Sequence, residues 1–91
     1  MRVPNLGRGA AEAIEAVAHG DPKSSKVVGR RVDQINLPKG ATIGAIVRGE
    51  QVLMAHHDTV IEPEDHVILF IVDKTLTPKV ERLFQVGVTF I

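Results

Sequence analysis

His56, His57 and Asp58 are consecutive, and Glu62, Glu64, Asp65 and His66 follow within a few residues. Imidazoles and carboxylates are ligands for zinc, but a tetrahedral site needs three or four of them converging on one ion. Neighbouring residues on an extended chain point to opposite faces, so His56 and His57 cannot readily share an ion. Nothing in the spacing fixes convergence, and no metal site is expected. Glu62, Glu64 and Asp65 could act as paired carboxylates in acid–base chemistry. Pro63 between them instead signals a turn, with Asp65 accepting turn amides and the glutamates solvated. Ser24 and Ser25 have no identifiable activating base. No catalytic residue is expected, and the chain does not read as an enzyme.

Gly7-Arg8-Gly9 suggests a dinucleotide loop, but Glu12 occupies the place of the third glycine and too few residues precede it to form a strand. A mobile segment over residues 1–8 is the simpler reading. Lys26, Arg30 and Arg31 form a small basic spot, read as a solvated surface. Arg48 differs, because it ends an apolar segment beside a tight turn. Its position is therefore well fixed and suits an anion contact.

The composition narrows the classes. The chain has 91 residues, 44% hydrophobic and 24% charged, an ordinary globular balance and not that of a disordered chain. Cysteine is absent, which excludes disulfides, thiolate zinc sites and a cysteine nucleophile. Eleven basic and eleven acidic residues give a net charge of zero. That balance, with no Trp or Tyr, argues against nucleic acid as a partner. Residues 1–6 carry no secretory apolar region. The longest apolar run, 67–72, is far below the roughly 20 residues that span a bilayer. A cytoplasmic chain without direct membrane insertion is expected. So small a core also favours pairing with another copy or with further chain.

The elements that position these residues read as follows. Residues 9–19 are rich in Ala and Glu, so propensity favours a helix, although Ile14, Ala16 and Ala18 also alternate as in a strand. Residues 20–26 are a turn-rich break. Val32 and Ile35 suggest a short helix, stopped by Pro38. Residues 42–48 and 51–55 read as strands joined by Gly49-Glu50, a type II′ turn signature. That hairpin pairs Arg48 with Gln51, Val47 with Val52 and Ala45 with Met54. Strict alternation puts Ile43, Ala45 and Val47 on one face and Gly44, Ile46 and Arg48 on the other, both apolar enough to be covered. Thr59-Val60-Ile61 is a candidate short strand, and 66–72 is the most apolar and hence central strand. Asp73, Thr75 or Thr77 caps a helix bearing the stripe Leu76, Val80, Leu83 and Phe84. The tail 85–91 is apolar and alternating.

Three segments carry a family resemblance: Val28-Gly29-Arg30-Arg31-Val32, Ile35-Asn36-Leu37-Pro38-Lys39-Gly40 and Ile43-Gly44-Ala45-Ile46-Val47-Arg48-Gly49. With Asp58 to Val67 and Val80-Glu81-Arg82-Leu83-Phe84, they resemble the TrkA C-terminal domain, the C-terminal lobe of the regulator-of-potassium-conductance module. The resemblance covers residues 9–84. It implies an α+β fold, a small two-layer βαβββα lobe with a mostly antiparallel sheet and two helices. It makes Ala11 to His19 a strand, against propensity.

The resemblance also implies a function. The lobe would sense a ligand and form a homodimer within a ring of regulator subunits. That ring would lie at the inner face of the plasma membrane, against a membrane potassium transporter subunit. Lobe pairing would bias channel gating. The expected ligand or dimer interface is Ile43, Ala45, Ile46 and Arg48, together with the tail. The family's nucleotide site lies in a Rossmann lobe absent from this chain, so no cofactor is expected here. Members that bind cyclic di-AMP resemble one another in an Ile-Asn-Arg before the hairpin and a proline after it. Ile46 and Arg48 fit, but Val47 and Ala55 depart, removing a polar contact and a shaped wall. The alternatives are a stand-alone small-molecule module, a regulatory lobe of another transporter, or a metal-dependent enzyme built on His56, His57 and Asp58.

Overall fold

A computed structural model describes residues 12–86. Four strands, β1 (Glu12–Ala18), β2 (Ala41–Arg48), β3 (Gln51–Met54) and β4 (Asp65–Ile71), precede one helix, α1 (Thr77–Phe84). The strands form a single sheet in the order β1-β4-β2-β3 with every neighbour antiparallel. The α+β lobe expected from the sequence is present, and β4, the most apolar strand, lies inside the sheet.

The first helix of the βαβββα order is reduced to a single 3-10 turn, Val32–Gln34. Pro38 excludes Leu37 from the α region, and the chain is already extended at Ile35, with φ −81° and ψ 127°. Too little chain is left for an α-helix. A second 3-10 turn, Lys74–Leu76, leads into α1, and the Asp73 carboxylate accepts its Thr75 amide at 2.9 Å. Asp73 thus caps this turn, whereas α1 itself begins after Leu76 with no side-chain cap from any of the three candidates.

The 12–18 segment is a strand despite its helix-forming residues. It pairs with β4 from Glu12↔Ile71 to Ala18↔Asp65. Ile14, Ala16 and Ala18 thereby share a face with Leu69 and Val67, where Ile14 and Ala18 are buried. Burial between neighbours outweighs propensity.

The hairpin has the expected register, Arg48↔Gln51, Val47↔Val52 and Ala45↔Met54. Gly49 has φ +60° and Glu50 no positive φ, as a type II′ turn requires. The assignment of faces in β2 needs correction. The β2–β4 register shifts between Ile43 and Ala45, so Gly44 is bulged. Ile43 opposite Leu69 and Ile46 opposite Val67 both face the core, while Ala45 and Val47 face the other way. Strict alternation fails at that glycine.

Within the single chain β2 is fully covered on one side, while Ala45 and Val47 on the other are half-buried. On the inner face the sheet packs under α1 and the 21–40 and 55–64 segments. Ile46, Val67, Leu69, Ile61, Val27 and Val80 are fully buried there. On the outer face Val52, Met54 and Phe70 are exposed. The candidate strand at 59–61 forms only an isolated bridge, Arg31↔Val60. The segment 1–8, the Gly7-Arg8-Gly9 motif and residues 87–91 of the apolar tail lie outside the described residues.

Candidate functional site

The outer sheet face is built by alternation. β4 contributes His66, Ile68 and Phe70, β2 contributes Ala45 and Val47 past the bulge, and β3 contributes Val52 and Met54. Val52 is 68%, Met54 69% and Phe70 45% exposed, on a domain that buries its other strands well. The Phe70 ring lies against the bulge, where an added Gly44 Cβ would meet Phe70 Cδ2 at 2.9 Å. A side chain at 44 would force the Phe70 ring to move. One polar pair crosses this face, His66 Nδ1 with Glu15 Oε2 at 2.6 Å.

Behind that face, where β2 meets the turn, sits a compact ionic node. Asp65 is 1% exposed and begins β4. Arg48 donates to it through Nε to Oδ1 at 2.9 Å and Nη2 to Oδ2 at 2.8 Å. Asp65 Oδ2 also accepts the Glu62 amide at 2.8 Å, while Arg48 donates to the Val60 carbonyl at 3.0 Å. Glu62 Oε2 lies 3.0 Å from Arg48 Nη1. The hydrogen bond to Asp65 raises the Arg48 pKa above its ordinary value. This bidentate fork fits guanidinium geometry and ties the hairpin to the 62–65 turn. In that turn Asp65 N bonds the Glu62 carbonyl and Glu64 takes φ +68°, a left-handed position usual for glycine.

The four candidate interface residues therefore separate. Ala45 lies on the open face. Ile43 and Ile46 are buried in the chain's own core. The anion held by Arg48 is Asp65 of the same chain. Sequence reasoning named the fixed cation but not its partner, since 17 residues separate the two. The signals that could find it were Asp65 at the end of a Pro-containing turn and an apolar strand on each side.

The other candidates do not converge. His56, His57 and Asp58 are exposed in a loop, whose His56 amide donates to Thr59 Oγ1 at 3.0 Å. Among the described residues no group of three or more His, Asp or Glu could hold a metal ion. Glu64 faces His19 at the surface, 3.2 Å away. Ser24 and Ser25 are structural: Ser25 Oγ is buried and accepts the Val27 and Val28 amides at 3.0 and 2.9 Å. The basic spot disperses. Arg30 donates to the Pro22 and Val28 carbonyls, Arg31 pairs with Asp33, and Lys26 stands apart. Among the described residues no helix is long and apolar enough to cross a membrane.

Comparison with known proteins adds a lineage to this geometry. The TrkA-C domain family profile matches residues 21–85. The chain is 64% identical over 90 residues to the Trk system potassium uptake protein TrkA of Halomonas elongata, covering 99% of this chain and 20% of that protein. It is 64% identical over 85 residues to TrkA of Vibrio alginolyticus, covering 93% of this chain and 19% of that protein. It thus spans about one fifth of these relatives. Among solved structures it is similar to the RCK_C domain dimer of S. agalactiae BusR in complex with c-di-AMP. The TM-score is 0.64 at 25% identity, covering 79% of this chain and 93% of that one.

Proposed function

The chain belongs to the TrkA-C domain family, and from that premise we propose that it is a regulatory, self-pairing lobe of a cytoplasmic regulator of potassium uptake. The observation that carries the pairing is the outer sheet face, with Val52, Met54 and Phe70 exposed together around Ala45. A small domain does not usually leave such a patch in water unless it is an interface. The BusR neighbour is itself a dimer, and the TrkA relatives are potassium uptake proteins. Both agree with this reading.

In this reading two lobes meet through their outer faces. Ala45 is at the contact, with Val47, Val52, Met54 and Phe70 beside it. Ile43 and Ile46 act from behind, by fixing β2 on the core. Arg48 acts through Asp65, by fixing the hairpin that carries Val52. Regulation then follows from linkage: a ligand that favours one arrangement of paired lobes shifts the population toward it. The energy of that shift is the coupling passed to a membrane potassium transporter through the regulator ring.

The test is solution mass by light scattering across protein concentration. A dimer at micromolar concentration is expected, and Met54→Glu with Phe70→Ser should turn it into a monomer with an unchanged circular dichroism spectrum. A dimer that survives both substitutions would place the pairing surface elsewhere. A strict monomer at every concentration would overturn self-pairing of this lobe.

A further inference from the structure

We propose that the cleft between α1 and the 36–38 segment is a binding site for a phosphate-bearing anion. This cleft has a volume of about 260 Å³ and is lined by Lys26, Lys79 and Arg82, with Asn36 at one side and Pro38 and Leu83 giving apolar wall. No acidic residue lines it. It opens on the helix side of the sheet, away from the outer face, and does not depend on pairing.

The chain is neutral, with eleven cations and eleven acids. Arg31 is paired with Asp33, Arg48 with Asp65 and Glu62, and Arg30 is held by backbone carbonyls. Among the described residues Arg82 is the arginine whose guanidinium has no partner, and the side chains of Lys26 and Lys79 have none there either. Three cations without a partner share one concave surface with no acid in its lining, whereas Lys23, Lys39 and Lys74, also without an ion pair, lie outside it. Like charges so placed repel one another unless an anion joins them.

Sequence periodicity brings them together. Lys79, Arg82 and Leu83 lie at i, i+3 and i+4 of α1, one flank of the helix. Val80 and Phe84 are the flank buried on the sheet. Lys26 comes from the turn-rich break and meets the helix from the other side. The volume lies just below the roughly 300–1,000 Å³ typical of ligand sites, which suits a phosphate or pyrophosphate group more than a large ligand. Arginine offers a planar fork to two phosphate oxygens and the lysines add point charge. Leu83 and Pro38 suit an apolar portion beyond the phosphate. A free phosphorylated metabolite and a phospholipid headgroup share this chemistry.

The test is a ¹H–¹⁵N titration of the 91-residue chain with inorganic pyrophosphate at low salt. Saturable shifts are expected at the amides of Lys26, Asn36 and residues 79–83, weakening as salt is added. Lys79→Gln with Arg82→Gln, both exposed, should raise the midpoint at least tenfold. Lys23→Gln with Lys39→Gln, outside the cleft, should leave it unchanged. A second arm floats the chain on phosphatidylglycerol vesicles. Vesicle binding that needs Lys79 and Arg82, without pyrophosphate shifts, assigns the site to a lipid headgroup. Absence of both, or equal weakening by the two double variants, overturns the proposal. Solution mass is unaffected by the cleft variants, so failure here is separable from failure of lobe pairing.

Discussion

Arg48 and Asp65 face each other across the end of the hairpin, joined by two hydrogen bonds of 2.9 and 2.8 Å, with the carboxylate almost wholly enclosed. The same carboxylate takes the Glu62 amide, so one side chain fixes the end of β2 and the turn into β4. Asp65→Ala would leave a half-buried guanidinium and a free turn amide. Loss of one partner of a buried pair costs about 3 kcal/mol, and the partial exposure of Arg48 keeps this at the lower end of the range. The thermal midpoint should fall by roughly 10 °C or more. Arg48→Met with Asp65→Leu should recover most of that loss, because the enclosed charge is removed together with its partner. If the double variant is no better than Asp65→Ala, the cost lies in the turn amide.

The Glu62-Pro63-Glu64-Asp65 turn holds Glu64 at φ +68°, and its amide donates to the Ala18 carbonyl at 2.7 Å. That conformation suits glycine. Glu64→Gly should therefore stabilise the fold by up to about 1 kcal/mol, less what the exposed His19 contact contributes. Glu64→Val should destabilise it. Urea midpoints of the three proteins give the order directly.

Ile46 and Ala45 are neighbours in sequence with opposite outcomes. Ile46 is fully buried, and Ile46→Ala should cost about 2–5 kcal/mol in stability. At protein concentrations where it is folded, its mass should match the parent. Ala45→Asp should instead shift the mass toward monomer with a smaller change in unfolding midpoint. Reversal of the two outcomes would show that Gly44 does not reset the strand as described.

Asp21 and Asp73 carry pKa values below the ordinary carboxylate range. Asp21 is held down chiefly by the Ser24 amide, then by the Lys23 amide, and Asp73 by the Thr75 amide. The folded state therefore binds fewer protons than the unfolded state as each group titrates. Their contribution is present above the unfolded carboxylate value of about 3.9 and is lost as pH falls through the lower folded values. Thermal midpoints should be level from neutral pH down to about 5 and drop below about 4. Asp21→Ala with Asp73→Ala should lower the neutral plateau and flatten the acid slope.

Local chemistry made much of this fold legible. Gly49-Glu50 fixed the hairpin register because turn geometry sets pairing without distant contacts. Apolar density marked β4 as an inner strand. What local chemistry alone left open or misplaced has a common cause in contacts between distant segments. Ala and Glu in 12–18 favour a helix in isolation, and only the flank of β4 makes them a strand. The bulge at Gly44 leaves no mark in composition, so the expected interface residues Ile43 and Ile46 turn out to face inward. Arg48 could be recognised as a fixed cation, whereas its partner required the fold. The grouping of Lys26 with Lys79 and Arg82 likewise depends on packing between segments more than 50 residues apart.

The bulge at Gly44 also governs which changes of length the lobe can absorb. Loss of that one residue would restore unbroken pleating and keep every other assignment, because Ile43, Ala45 and Ile46 already lie opposite Leu69, Ile68 and Val67 and face in, out and in. Loss of a residue elsewhere in β2, such as Ile46, would instead turn one side of the strand onto the wrong face. The two deletions are thus unequal events: the first only flattens the strand, the second exchanges core for surface along it. Position 44 is where β2 can shed a residue without compensating substitutions on either face of the sheet.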